Sequence, residues 1–262
     1  MAKRAAATYV YCLIDSAERP SLTRVPAGLP GTGPVRVLDL GPNETLRLVV
    51  ADAPLSRYGE EAIQRGLSNL DWVSRAAVAH EAVIEFFIDV DAVLPMKLFT
   101  LFTSDERALA HMRADRPRIA ALVKWLAKHH EWGVRVVLDR ERAVRMPRGA
   151  AKTAAGAATG TAYLAHKKAQ RDAARERAER ARETVAAVYD RLALRARASK
   201  RRPAGELPVT GGRLLLDAAF LVPRSRTSSF RALAAREARA LAREGYGLTL
   251  TGPWPPYTFV QD

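Results

Sequence analysis

Side chains able to do chemistry are sparse in this sequence. The five histidines are His80, His111, His129, His130 and His166. His80-Glu81 is not followed by a second histidine one helical turn on, so the zinc-helix pattern is absent. His129-His130-Glu131 puts two imidazoles beside a carboxylate, but neighbours on a helix point about 100° apart. The only cysteine is Cys12, so a metal would have to recruit distant carboxylates. The histidine pair therefore reads as the half-exposed end of a helix. Gly149-Ala150-Ala151-Lys152-Thr153 lacks the second glycine of a phosphate loop, and Gly31-Thr32-Gly33 is far from a dinucleotide fingerprint. No serine sits in a GxSxG elbow. Nothing assembles a nucleophile, a base and an oxyanion site. The sequence reads as non-enzymatic, with no catalytic, cofactor-binding or metal-binding residue.

The elements that would position any site follow from length and pattern. The chain has 262 residues, 48% hydrophobic and 27% charged, the composition of a globular protein with one large or two modest domains. No apolar run approaches the roughly 20 residues of a membrane span, and the N-terminus lacks a signal-peptide core. A cytoplasmic location without a membrane partner is expected. Cys12 lies in an apolar run and reads as a small buried core residue.

Tyr9–Ile14 is an uninterrupted β-branched and aromatic run, expected to be a buried strand. A Pro/Gly-rich loop follows at 26–34. Residues 35–40 and 45–50 flank Gly41-Pro42-Asn43 as a hairpin. Residues 56–67 read as a helix, and Ser68 or Asn69 caps the next, whose stripe is Trp72, Val73, Ala76, Ala79, Val83 and Phe87. Residues 93–102 read as one extended segment, edged or kinked at Pro95. Ser104 starts a helix running to about His130, with an interruption near Pro117.

A domain boundary is expected near residue 130, giving an α+β domain over 1–130 and a second over 131–262. The second reads as strand 132–138, long helix 161–199, weak strand 206–210, strand 213–222, helix 225–244 closed by Gly245, and strand 247–251. That β-α-β-β-α-β order is the signature of a ferredoxin-like sandwich. The Ala/Gly-rich segment 146–160 reads as a flexible linker.

The net charge of +14 points to an acidic partner. Between Tyr163 and Arg202 thirteen Lys/Arg face five acids, a net of +8, so more than half of the total is concentrated in this stretch. One reading is a solvated helix in an Arg-rich protein. The other is an exposed cationic rod for an acidic protein face or nucleic acid, with Arg175, Arg180 and Arg182 as candidate contacts. Aromatics are not interleaved with these cations as base stacking requires, which disfavours nucleic acid. A basic nucleic-acid-binding protein using 163–202 remains the alternative function.

Four segments, in order, resemble the gas vesicle protein F/L family. They are Tyr9–Ile14; His80-Glu-Ala-Val83 leading into Val93–Phe102, similar to the family's VLPxRFGTxF; Glu131–Val136 with Gly160–Leu164; and Ala219–Val222 followed by Thr251-Gly-Pro-Trp-Pro-Pro-Tyr-Thr-Phe-Val260. The ending is the most specific. Two departures stand out: Lys97-Leu98-Phe99 replaces Arg-Phe-Gly, putting a bulky residue where the family has glycine, and Asp217 stands where Asn is common. The resemblance implies a two-domain α+β fold, association with gas vesicles and no catalytic activity. It implies an accessory protein that binds the hydrophobic shell protein and other accessory proteins, keeping the shell protein soluble or nucleating the shell, or remaining as a minor vesicle component. Trp254 and Tyr257 are either a rigid aromatic platform for a partner or part of the closure of the C-terminal domain. The expected closure packs Trp254 and Phe259 onto the sheet.

Overall fold

The computed structural model describes residues 6–42, 44–139, 160–203 and 212–260. The chain forms two compact units, Met1–Glu131 with Pro253–Asp262, and Trp132–Gly252. The closing decapeptide, which the sequence reading placed in the second domain, thus groups with the first unit.

The first unit is built on an antiparallel sheet ordered β2-β3-β1-β4, with β5 also beside β1. The strands are β1 (Ala6–Asp15), β2 (Arg36–Asp39), β3 (Leu46–Pro54), β4 (Ala92–Pro95) and β5 (Leu101–Phe102). β1 lies in the middle, and all of Tyr9–Ile14 is fully buried. A strand covered on both faces must be apolar at every position, hence the unbroken run. Each large side chain so buried contributes roughly 1.5–3 kcal/mol. The β2–β3 hairpin pairs Val37 with Val49 and Leu38 with Leu48, as its turn residues predict.

Helices α1 (Leu55–Tyr58), α2 (Glu60–Gly66), α3 (Leu70–Phe86), α4 (Asp105–Ala114) and α5 (Arg116–Leu126) complete this unit. Asn69 caps α3, accepting the Trp72 N–H at 3.0 Å. The face of α3 that is buried carries Ala76, His80, Val83 and Ile84. Two local expectations are corrected. The extended segment 93–102 is interrupted by a turn at Lys97–Thr100, with Phe99 at φ 65°, after which β5 resumes along β1 in the same direction as β4. The helix from Ser104 is interrupted at Asp115, as expected near Pro117, whose ring has no N–H to donate and clashes with a carbonyl four residues back. His129 and His130 open a strand rather than end a helix; Ala127 and Lys128 turn the chain there, Lys128 at φ 59°.

The second unit has the element order β6 (His129–Asp139), α6 (Gly160–Ala193), β7 (Ala198–Arg201), β8 (Gly212–Pro223), α7 (Thr227–Arg243) and β9 (Tyr246–Trp254). Its sheet runs β7-β8-β6-β9. Trp132, Val134 and Val136 of β6 and Leu216, Ala218, Phe220 and Val222 of β8 alternate into a core with Val185, Val188 and Leu192 of α6 and Phe230, Ala234 and Leu241 of α7. That is period two on the strands against three-to-four on the helices. The long helix stops at Ala193, six residues short of the expected end. Ala198–Arg201 instead pairs with Leu221–Ala218 of β8, and the ladder overrides the helical preference of Ala and Arg. The expected strand 206–210 and the linker at 146–159 lie outside the described residues.

Candidate functional site

A cavity of about 590 Å³ opens on the first unit. One wall is α3, through Ala77, His80 and Glu81. The floor is β4 and the turn after it, Leu94–Leu98 and Thr100. The facing wall is Met112, Asp115, Arg118, Ile119 and Leu122 of the α4–α5 pair, and the rim carries Tyr257 and Val260. The lining mixes apolar side chains, among them two methionines that adapt to irregular ligands, with the charged Glu81, Lys97, Asp115 and Arg118. Three sequence segments far apart in the chain, around 80, 94–100 and 257–260, meet there.

A chain of hydrogen bonds holds the floor. The backbone N–H of Phe99 donates to Tyr9 Oη at 3.2 Å, so the phenol's only proton points onward to His80 Nδ1, 2.8 Å away. His80 is thereby left with its proton on Nε2, which donates to the Met96 carbonyl at 3.1 Å. Tyr11 stacks on the imidazole with centroids 5.7 Å apart, and its carbonyl accepts the Met96 N–H at 2.9 Å. The imidazole is neutral: burial holds His80 below its ordinary pKa, against the opposing pull of the Met96 carbonyl. Burial likewise pushes the Tyr9 phenol up. Both ring nitrogens are committed to Tyr9 and the backbone, so neither serves as a base toward a substrate. His80 is a positioning residue that pins the 95–100 turn onto α3 and β1.

Phe99 takes a left-handed backbone conformation that suits glycine. Its ring stacks on Trp72, centroids 5.1 Å apart and planes within 18°. That stacking offsets the backbone cost. Gly28 is constrained the same way, at φ 77°, and a Cβ there would lie 2.2 Å from Tyr11 Oη, the group that accepts the Leu29 N–H at 3.0 Å.

The closing segment is locked down by Glu131, a buried carboxylate that accepts the Thr258 N–H at 2.7 Å and the Thr258 hydroxyl at 2.6 Å. Phe259 is fully packed, its ring 6.0 Å from Trp125. Tyr257 Oη is buried at the cavity rim with no hydrogen-bond partner among the described residues. Burial, with the Glu81 and Glu85 carboxylates nearby, raises its pKa.

Over residues 7–261 the sequence matches the family described as gas vesicle synthesis protein GvpL/GvpF. The chain belongs to this family. It is 30% identical to gas vesicle protein L of Streptomyces sp. (strain CB03234) over 257 residues, covering 96% of this chain and 92% of that one. It is 28% identical to gas vesicle protein L2 of Halobacterium salinarum (strain ATCC 700922 / JCM 11081 / NRC-1) over 277 residues, covering 97% and 91%. Its fold resembles the crystal structure of GvpF from Anabaena sp. PCC7120, with a TM-score of 0.68 at 16% identity over 98% of this chain and 97% of that one. The family's VLPxRFGTxF glycine falls on Phe99, and the left-handed φ found there gives its physical reason.

The structure scatters the sequence-predicted contact residues. Arg175, Arg180 and Arg182 are exposed on α6. Two of them make ion pairs within the helix, Arg175 with Glu179 at 3.0 Å and Arg180 with Glu176 at 3.5 Å. Trp254 is 38% exposed, which corrects the expectation that it packs with Phe259, now seen to be the buried one. Tyr257 is at the cavity rim. Met96, Met112 and Leu122 were invisible as a site, since only the fold brings them together. Among the described residues no cluster of three or more His, Cys, Asp and Glu could hold a metal. None of their helices is long and apolar enough to cross a membrane.

Proposed function

We propose that the protein, as a member of the GvpL/GvpF family, acts in gas-vesicle assembly as an accessory factor that binds the small hydrophobic shell protein and fellow accessory proteins in the cytoplasm, keeping the shell protein soluble or helping to nucleate the shell. The observation that supports this reading is the convergence of the family-like segments on one cavity in the first unit, where Leu94, Met96, Leu98, Met112 and Leu122 offer an apolar surface beside charged residues such as Glu81 and Arg118. A shell protein that polymerises through strands carries apolar surface and open edges before assembly. A groove receiving an amphipathic segment of that protein would lower the free concentration able to aggregate. The β-α-β-β-α-β order of the second unit, with strand order β7-β8-β6-β9, supports a ferredoxin-like sandwich there.

The test is co-expression of the shell protein with the full chain, followed by pull-down at low and moderate salt. Apolar binding is expected to survive 0.5 M NaCl. Leu98→Asp and Leu122→Asp, at half-buried lining positions, should lower the soluble shell protein while the variant itself stays folded. Equal solubility with and without the protein would refute the proposal.

A further inference from the structure

Helix α6 spans 34 residues, about 50 Å, yet its described residues from Tyr163 to Arg180 are all exposed. Only the last third packs on the sheet, through Val185, Val188 and Leu192. Residues at helical spacing back from these, Ala181, Ala178 and Ala174, continue the same face beyond the sheet as a narrow seam of small side chains. The charges around the seam are sorted. Lys168, Arg171, Arg175 and Arg182 follow spacings of three, four and seven along one flank, and Arg177 and Arg180 lie on the other; Lys167, seven residues before Ala174, falls on the line of the seam and ends it. The four acids between 163 and 183, Asp172, Glu176, Glu179 and Glu183, follow spacings of four, three and four, a single line opposite the seam.

We propose that this free stretch of α6 docks an amphipathic helix of another protein whose apolar seam is flanked by Asp and Glu. The alanines allow close approach of a second helix, and the cationic flanks meet acidic ones as in paired coiled coils. A second copy of this chain does not fit, because pairing along the seam would set cations against cations. Residues 140–159 do not fit either, with five Lys/Arg against one acid. Nucleic acid would need neither an apolar seam nor the removal of acids to one line. The ion pairs within α6 leave their members exposed and offer little competition. This surface is independent of the cavity in the first unit, so its failure would leave the proposed function standing.

The test uses the full chain and a fluorescently labelled 28-residue designed helix with a Leu/Ala seam flanked by glutamates. A lysine-flanked version and a 20-base-pair DNA duplex serve as comparisons. The acidic helix is expected to bind, with affinity falling about tenfold or more between 50 and 300 mM NaCl. The variant K168Q/R171Q/R175Q/R182Q, which keeps good helix formers, should lose about tenfold or more in affinity at unchanged circular dichroism. The control D172N/E176Q/E179Q/E183Q should bind at least as tightly as the wild type. The proposal is overturned by DNA binding tighter than the acidic helix, by equal binding of the lysine-flanked helix, or by self-association that the four-Gln variant abolishes. An unchanged affinity in that variant would also overturn it.

Discussion

Replacing Tyr9 by Phe tests the hydrogen-bond chain in a single atom. The ring and its packing stay, while Oη is lost from a site where Tyr9 is fully buried. Two groups lose their partner together: the Phe99 N–H, which donated at 3.2 Å, and His80 Nδ1, which accepted at 2.8 Å. Leaving a buried polar group unsatisfied costs about 1–3 kcal/mol; the buried His80 Nδ1 takes that full range and the part-buried Phe99 N–H its low end of about 1 kcal/mol, so a loss of about 2–4 kcal/mol is expected for the 95–100 turn. At about 1.4 kcal/mol per tenfold, that is about a 30- to 700-fold drop in protection from hydrogen exchange if the turn opens as a local unit. Exchange of the peptide covering 93–102, followed by mass spectrometry at neutral pH, reads this directly. Protection within about twofold of the wild type, a cost of about 0.4 kcal/mol, would show that Tyr9 Oη does not hold the turn. The neutral tautomer assigned to His80 would fall with it.

Three further outcomes follow. Burial lowers the His80 pKa, so the unfolded chain takes up the proton first as pH falls. The stabilisation is present above about 6.5 and declines below it; denaturant midpoints at pH 7.5 and 5.5 should differ more in wild type than in His80→Gln. Phe99→Gly removes a backbone cost of about 1 kcal/mol but loses the Trp72 stacking, worth a similar amount, and the burial of a ring packed on the core, worth about 1 kcal/mol or more. It should be destabilising alone and less so in a Trp72→Ala background, a difference read by urea unfolding. Arg191 holds the buried Glu237 carboxylate through two hydrogen bonds of 3.1 and 2.8 Å and keeps its pKa low. Arg191→Met should cost the second unit about 1–3 kcal/mol at pH 7, and less as pH falls below the ordinary carboxylate value, because protonation removes the orphaned charge.

Much of this architecture was legible wherever a segment carried its own period. The Tyr9–Ile14 run, the 35–50 hairpin and the α3 stripe follow from spacing alone, and the order of strands and helices after residue 130 follows from alternation. The failures share one cause, local patterns decided by distant partners. Val93–Phe102 reads as continuous strand because Phe in a left-handed turn has no sequence signature; only the family's glycine at that position hints at the break. Ala198–Arg201 reads as helix until β8 is there to pair with it. The cavity was illegible for the same reason, since Met96, Met112, Leu122 and Tyr257 lie on four separate segments.

The family-like segments owe their specificity to backbone geometry rather than to reactive groups. His80 spends both nitrogens fixing a turn, the glycine position fixes a φ, and Thr258 is fixed by Glu131. Such residues shape a cavity floor and rim, and binding to an apolar floor of that kind gains little from charge. The sorted charges of α6 do the reverse: they build no part of the core between Tyr163 and Arg180, and what they bind must weaken as salt screens them. A partner held through the cavity and one held through α6 therefore separate in a salt titration. Leu122→Asp should abolish the salt-resistant fraction of binding, and the four-Gln variant of α6 the salt-sensitive one.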